Sequence, residues 1–255
     1  MLELKNVSRN FGGLQALSNV NMVVPKGRVV GLIGPNGAGK TTLINNISGL
    51  DHPNSGAILF EGVDLCKAPP HVVTRAGIAR TYQNIRLFGE MTVLENLLIG
   101  QHGRGRATVF EALAYLPRYR REEAALRERA RTLLERFQLE RFAHMRASAL
   151  PYGDQRRLEM ARALATGPKL LLLDEPTAGM NPAETSALGE QVLRLRDEGM
   201  TILVIEHDMS LIRQVCDEIY VLNFGQIIAH GDPDEISHNP LVIEAYLGEE
   251  DDGAA

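Results

Sequence analysis

Val29-Val30-Gly31-Leu32-Ile33-Gly34-Pro35-Asn36-Gly37-Ala38-Gly39-Lys40-Thr41-Thr42 decides the fold. Its first five residues are a short apolar run with β-branched members, the pattern of a strand buried on both faces. The next eight, Gly34 to Thr41, fit G-x-x-x-x-G-K-[ST] and are followed by a further Thr. Glycines at Gly34, Gly37 and Gly39 let the backbone wrap closely, so that N–H groups point at phosphate oxygens. The run Thr41-Thr-Leu-Ile-Asn-Asn-Ile47 then reads as a helix whose positive end faces the same anion. A Gly-rich turn with a solvated lysine is the bland alternative. The strand before the loop and the helix after it argue against that alternative.

Working outward, a nucleoside triphosphate bound there needs a carboxylate near Mg²⁺ and a group to activate water. Leu170-Leu-Leu-Leu-Asp174-Glu175 places two acids at the end of an apolar strand. Open parallel sheets bind ligands beyond the carboxyl ends of their strands. Asp174 is expected to hold Mg²⁺ together with Thr41. Glu175 is expected to take a proton from the attacking water. Lys40 reaches the β and γ phosphates. His207 follows a third apolar run, Thr201 to Ile205, and can contact a γ-phosphate from the same rim. Gln83, read alone, is an ordinary polar residue after a possible strand.

The remaining order fits this core. Leu2, Leu4 and Val7, the alternation of Val20, Met22 and Val24, and Gly56 to Phe60 read as N-terminal strands. From Glu95 to Phe142 the pattern is helical, with Leu126, Ala130, Leu133, Leu134 and Phe137 on one face. Helices are expected over Pro182–Arg196 and Ser210–Asp217, and a hairpin over Ile219–Ala229 that turns at Phe224-Gly225. Strands alternating with helices imply a mainly parallel sheet covered on both sides. Gly103–Arg106 and Arg118–Arg121 read as solvated basic loops, and Glu249–Asp252 as a frayed acidic tail.

Composition sets outer bounds. The chain has 255 residues, 27 Lys plus Arg against 32 Asp plus Glu, and a net charge of −5. Mild acidity speaks against a nucleic-acid partner, whose binders carry basic surfaces. No stretch approaches the ~20 apolar residues of a membrane helix. The start lacks a secretory pattern, and the chain is expected in the cytoplasm. Cys66 and Cys216 match no metal-ligand spacing and read as small hydrophobes.

Taken together, these residues resemble the ATP-binding subunits of ABC transporters. The phosphate loop, Gln83, Leu150-Pro-Tyr-Gly-Asp-Gln155, Leu173-Asp-Glu175 and His207 stand in that family's order. The sequence is further similar to the LivG-type ATPases of branched-chain amino acid importers. Phe11-Gly-Gly-Leu14, Arg80-Thr-Tyr-Gln-Asn84, Arg86-Leu-Phe88, Met91–Asn96, Pro151–Glu159, Ala245-Tyr-Leu-Gly248 and a long helical segment near 104–125 carry that likeness.

The resemblance implies an α/β fold: a RecA-like P-loop NTPase core with an antiparallel β subdomain and an inserted α-helical subdomain. It implies a core over 1–86 and 147–230, a helical subdomain over 87–146 with the signature loop following at 150–157, and a C-terminal helical extension with an acidic tail over 231–255. ATP and Mg²⁺ are the implied ligands. Phe11 looks like the aromatic that stacks on adenine, and Gln83 like the glutamine that touches Mg²⁺ and relays to the membrane subunit. Tyr152, Gly153 and Asp154 belong to the loop that caps the γ-phosphate of the opposite subunit. The family's signature is Leu-Ser-Gly-Gly-Gln; here Pro151, Tyr152 and Asp154 depart from it. Asn181 stands where the family has Asp.

The implied partners are a second ATP-binding subunit (identical or related), transmembrane permease subunits and, indirectly, a periplasmic or extracellular solute-binding protein. The implied location is the inner face of the plasma membrane. A urea or amide importer, or a lipopolysaccharide exporter, is the alternative within transporters. A soluble ABC ATPase acting on DNA or ribosomes is opposed by the short spacing from Lys40 to Asp174 and by the single ATPase unit. A non-catalytic nucleotide-binding module is opposed by Glu175 and His207.

Overall fold

The computed structural model describes residues 1–104, 117–207 and 209–252. The basic run 103–106 and the segment 104–125 therefore lie partly outside the described residues. The chain divides into two compact units, Met1–Gln83 with Lys169–Ala255, and Asn84–Pro168.

The first unit holds two sheets. A four-stranded antiparallel sheet has the order β2 (Leu14–Val24), β1 (Leu2–Phe11), β4 (Ser55–Phe60), β5 (Val63–Asp64). Its apolar spacing, Leu2, Leu4, then Val7, breaks strict alternation because the pairing contains bulges. Leu4 faces Met22 while Val7 faces Val20, so β1 carries one extra residue there. Asn6 (φ 51°) lies in the extra step, and Asn19 (φ 50°) in a compensating step on β2. Asn tolerates this left-handed backbone better than most residues. The bulge is further tied through Asn21, which accepts from Asn6 N–H at 3.0 Å and donates to Asn6 Oδ1 at 3.1 Å. After both bulges Val7, Leu17 and Val20 still point into the core.

The six-stranded sheet has the order β10 (Gln226–Gly231), β9 (Glu218–Asn223), β3 (Val29–Ile33), β8 (Thr201–Ile205), β7 (Leu170–Asp174), β6 (Ile78–Arg80). From β9 to β6 neighbours are parallel, and β10 closes the edge antiparallel to β9. Every residue of β3, β7 and β8 is buried, which is why these strands read as unbroken apolar runs. Burying one such Leu, Ile or Val side chain contributes roughly 1.5–3 kcal/mol. One core joins the two sheets, from Leu2 and Ile58 to Leu172 and Leu203. The β9–β10 turn has positive φ at both Phe224 (43°) and Gly225 (75°), the geometry of a tight hairpin that follows strand twist.

The second unit is helical in its described residues: Val93–Gly100, Pro117–Arg136 and Tyr152–Ala165. Ala130, Leu134 and Phe137 are buried from the predicted apolar stripe, while Leu126 and Leu133 are half-buried. Thr92 and Glu95 form a reciprocal capping box at Val93. Residues 147–168, expected with the core, group here because Tyr152–Ala165 packs on the other two helices of this unit. In the first unit, the helix Pro240–Asp252 continues through the acidic run expected to fray.

Candidate functional site

Gly34 and Gly39 show why the phosphate loop needs glycine. Gly34 has φ 152°, and a Cβ there would lie 2.0 Å from the Leu222 carbonyl oxygen on β9. Gly39 has φ 106°, and a Cβ there would lie 2.6 Å from the Ala16 carbonyl oxygen. The loop is thus pressed between β9 and β2 by direct backbone contact. Gly39 is also the N-cap of the helix Lys40–Ile47, with no side-chain cap and no acid in the first turn. Leu43 N–H donates to Gly39 O at 2.9 Å, closing the first turn of the helix. The first turn of that helix, at Lys40, Thr41 and Thr42, presents backbone N–H groups and the positive end of the helix dipole, an anion-binding end. Lys40 is buried and its ammonium donates to the carbonyls of Gly34 and Pro35. It is held at the loop, where a phosphate would compete with those carbonyls. Asn36, Gly37 and Thr41 are exposed, whereas Pro35 and Ala38 are buried.

Because β3, β8 and β7 are adjacent and parallel, their carboxyl ends lie on one rim. Gly34 comes after β3, Glu175 after β7 and His207 after β8. Glu175 sits at φ 44°, an uncommon backbone for a side chain that is not Gly, Asn or Asp. Its amide donates to Ile205 O at 2.9 Å, which holds the turn against β8. Its Oε2 accepts from Gln83 Nε2 at 2.7 Å and lies 4.0 Å from His207 Nδ1. Gln83, Glu175 and His207 are therefore neighbours in space.

Two further residues complete this rim that sequence reading did not single out. Arg80 ends β6 beside β7 and places Nη2 2.7 Å from Asp174 Oδ2, both side chains about nine-tenths buried. Its Nη1 donates to Asn45 Oδ1 at 2.8 Å and Ser48 Oγ at 3.0 Å, both at the end of the phosphate-loop helix. Glu206 is wholly buried and accepts from Thr177 N–H (2.9 Å), Thr177 O–H (2.6 Å) and His207 N–H (3.2 Å). An acid ending an apolar run was the only available sign, and acids in that position are common on surfaces.

Phe11 is 47% exposed at the end of β1, and Arg9 lies 4.5 Å over its ring. Arg9 is itself fixed by two bonds to Asp51, at 2.8 and 2.7 Å. One face of Phe11 is thereby backed by a cation.

Tyr152, Gly153 and Asp154 belong to the second unit. Pro151 caps Tyr152–Ala165 without a side-chain bond, so the helix begins with the backbone N–H groups of its first turn, Gly153 among them. Asp154 is buried and paired with Arg157 at 3.1 Å, so its charge is turned within the helix. Tyr152 is 45% exposed and its hydroxyl accepts from Arg156 Nη2 at 3.1 Å. Arg156 pairs with buried Glu159 at 3.2 Å, and Glu159 also accepts from Arg86 N–H.

Known proteins share this fold. Residues 17–178 match the family model described as ABC transporter, and residues 226–252 that described as Branched-chain amino acid ATP-binding cassette transporter. The chain belongs to the ABC transporter family. It is 47% identical over 250 residues to the high-affinity branched-chain amino acid transport ATP-binding protein LivG of Escherichia coli (strain K12), covering 98% of each chain. The ADP conformation of MJ1267, an ATP-binding cassette of an ABC transporter, superposes with a TM-score of 0.85 at 37% identity, covering 97% of this chain and 98% of that one. The dimeric post-hydrolysis state of the cassette MJ0796 bound to ADP and Pi gives 0.75 at 29% identity, over 91% and 99%. This ABC chain is thus an ATP-binding cassette with the P-loop NTPase fold, and an ATPase.

Among the described residues no helix of this cassette is long and apolar enough to cross a membrane. Nor do the described residues include a group of three His, Cys, Asp or Glu side chains that could hold a metal. A divalent cation here would need phosphate oxygens as well. The protein donors fit that need: Thr41 is exposed, and Asp174 Oδ1 accepts no hydrogen bond among the described residues while Oδ2 is held by Arg80. Hard oxygen donors of this kind, few in number, suit Mg²⁺ bound to a nucleotide.

Proposed function

We propose that the chain is the ATP-hydrolysing subunit of an importer for branched-chain amino acids, working through partner permease subunits. The observation that supports this most is the 47% identity to LivG along 98% of both chains. A match of residues 226–252 to the branched-chain amino acid cassette model points the same way.

In the proposed reaction, the loop 34–42 wraps the triphosphate and Phe11 stacks on adenine. Bound Mg²⁺, held by Thr41, Asp174 and Gln83, would supply charge neutralisation at the phosphates. Lys40 and His207 stabilise the transferring phosphoryl group. Glu175 accepts the proton of the attacking water. The helix start at Tyr152 and Gly153 turns backbone N–H groups and its positive end toward the γ-phosphate bound by a second cassette, so that ATP closes a dimer and hydrolysis reopens it. Because Asp154 is paired with Arg157, backbone groups carry that contact. The dimer mate is identical or related, and the pair sits against permease subunits on the inner face of the plasma membrane, served by an external solute-binding protein.

The test is reconstitution in liposomes with the permease and binding protein that copurify. Leucine-, isoleucine- or valine-loaded binding protein should raise ATP turnover several-fold. Stimulation by urea or an amide instead, or activity only with lipopolysaccharide, would move the chain to the corresponding transporter.

A further inference from the structure

Asp174 is the carboxylate assigned to the cation in the proposed reaction, and it is already paired. Arg80 Nη2 holds Asp174 Oδ2 at 2.7 Å, with side-chain exposures of 7% and 10%. A guanidinium in that position opposes a second cation, so a purely structural ion pair would be an odd neighbour for a metal ligand. Its other contacts explain the arrangement. Nη1 bonds Asn45 and Ser48 on the phosphate-loop helix, and the guanidinium lies 5.0 Å from the Tyr82 ring, one residue before Gln83. One planar fork therefore joins Asp174, the phosphate-loop helix and the strand that leads to Gln83.

We propose that Arg80 is a positioning residue that sets how strongly nucleotide binding depends on the divalent cation. The inference rests on Asp174 serving the metal. Arg80 pins Oδ2 and leaves Oδ1 for the cation. It also cancels the Asp174 charge, which would otherwise repel the triphosphate when the cation is absent. Without Arg80, Asp174 is a nearly buried charge with no partner, an expensive state. A cation arriving with the nucleotide would relieve that state, whereas nucleotide alone would aggravate it. Losing Arg80 should thus weaken binding of metal-free ATP much more than binding of Mg·ATP.

The experiment measures the dissociation constants of a fluorescent ATP analogue for the full chain, with Mg²⁺ and with EDTA. In Arg80→Gln the ratio of the EDTA constant to the Mg²⁺ constant should rise roughly tenfold, equivalent to about 1.4 kcal/mol. Arg80→Lys keeps the charge but not the fork, so it should restore most of the ratio even if its melting temperature stays low. A general loss of fold would weaken both constants alike and leave the ratio unchanged, and that result overturns the proposal. Equal ratios for Arg80→Gln and Arg80→Lys overturn the charge argument too. Asp174→Asn is the control for the underlying reading. If it leaves the ratio at the wild-type value, the metal role of Asp174 falls. If it alters the ratio while Arg80→Gln does not, only the role of Arg80 falls.

Discussion

Gln83 and Glu175, 92 positions apart in the chain, are joined by a hydrogen bond of 2.7 Å from Nε2 to Oε2. The group proposed to activate water is therefore held by the residue proposed to report on the membrane subunit. Any shift of the segment after β6 pulls directly on the Glu175 carboxylate. This gives a physical route by which a docked permease could admit or withhold the base.

Glu175→Gln separates basicity from geometry. The amide oxygen still accepts from Gln83 Nε2, so the local hydrogen bond survives while proton acceptance is lost. Turnover should fall by roughly 10²–10⁴-fold, the range for a removed general base. Affinity for Mg·ATP should stay within about twofold, since Glu175 touches no ground-state phosphate in this scheme. Single-turnover hydrolysis and nucleotide titration measure the two halves. Unchanged hydrolysis would remove Glu175 from the role of base.

Glu206 makes a sharper case because it is wholly buried with three donors aimed at it. Glu206→Gln replaces one acceptor oxygen by an NH₂ group, which must face an N–H or O–H that already donates. The cost is about 1–3 kcal/mol for an unsatisfied buried donor. Relief comes by moving Thr177 or His207, so the urea midpoint and ATP turnover should both fall. A variant with lower stability and full turnover would show that Glu206 supports the fold without positioning His207.

Much of the site is legible in the sequence because it is local. The phosphate loop is eight consecutive residues, and Asp174-Glu175 simply ends an apolar run. Arg80 and Asp174 stand 94 positions apart, and their pairing exists only because β6 lies beside β7. Gln83 becomes a candidate through family likeness, not through its surroundings in sequence. In the fold, the central strands announce themselves by burial on both faces, whereas β1 hides its bulge in the step from Leu4 to Val7. The helix Pro70–Ala76 escapes because its seven residues bury only Val73, too few for a 3.6-residue period to emerge.

The thiols give a pH test. Burial, reinforced by Asp64, pushes the Cys66 thiol up to about 11. Burial also raises that of Cys216, a buried neighbour of Gly31. Both should be unreactive toward iodoacetamide near pH 7.5 in the folded chain, with Cys66 modification accelerating toward pH 11. The folded state holds the Cys66 proton more tightly than the unfolded chain, whose ordinary value is 9.0. Its contribution is therefore complete below pH 9 and is lost as pH rises through about 11. Rapid labelling of either thiol at neutral pH would contradict this burial.

Asn181 tests whether a departure from the family pattern is a defect. It is the N-cap of the helix Pro182–Asp197, and its Oδ1 accepts from Glu184 N–H at 3.0 Å while Glu184 Oε2 accepts from Asn181 N–H at 3.0 Å. Asn and Asp cap helices about equally well, so the substitution away from the family's Asp leaves this box intact. Asn181→Asp should shift stability by only a few tenths of a kcal/mol, whereas Asn181→Ala should cost about 1 kcal/mol. If the side chain acts only as a cap, ATP turnover of Asn181→Asp should match the parent. A turnover change of several-fold, with an unmoved urea midpoint, would mean that the missing charge matters at the dimer interface and not in the helix.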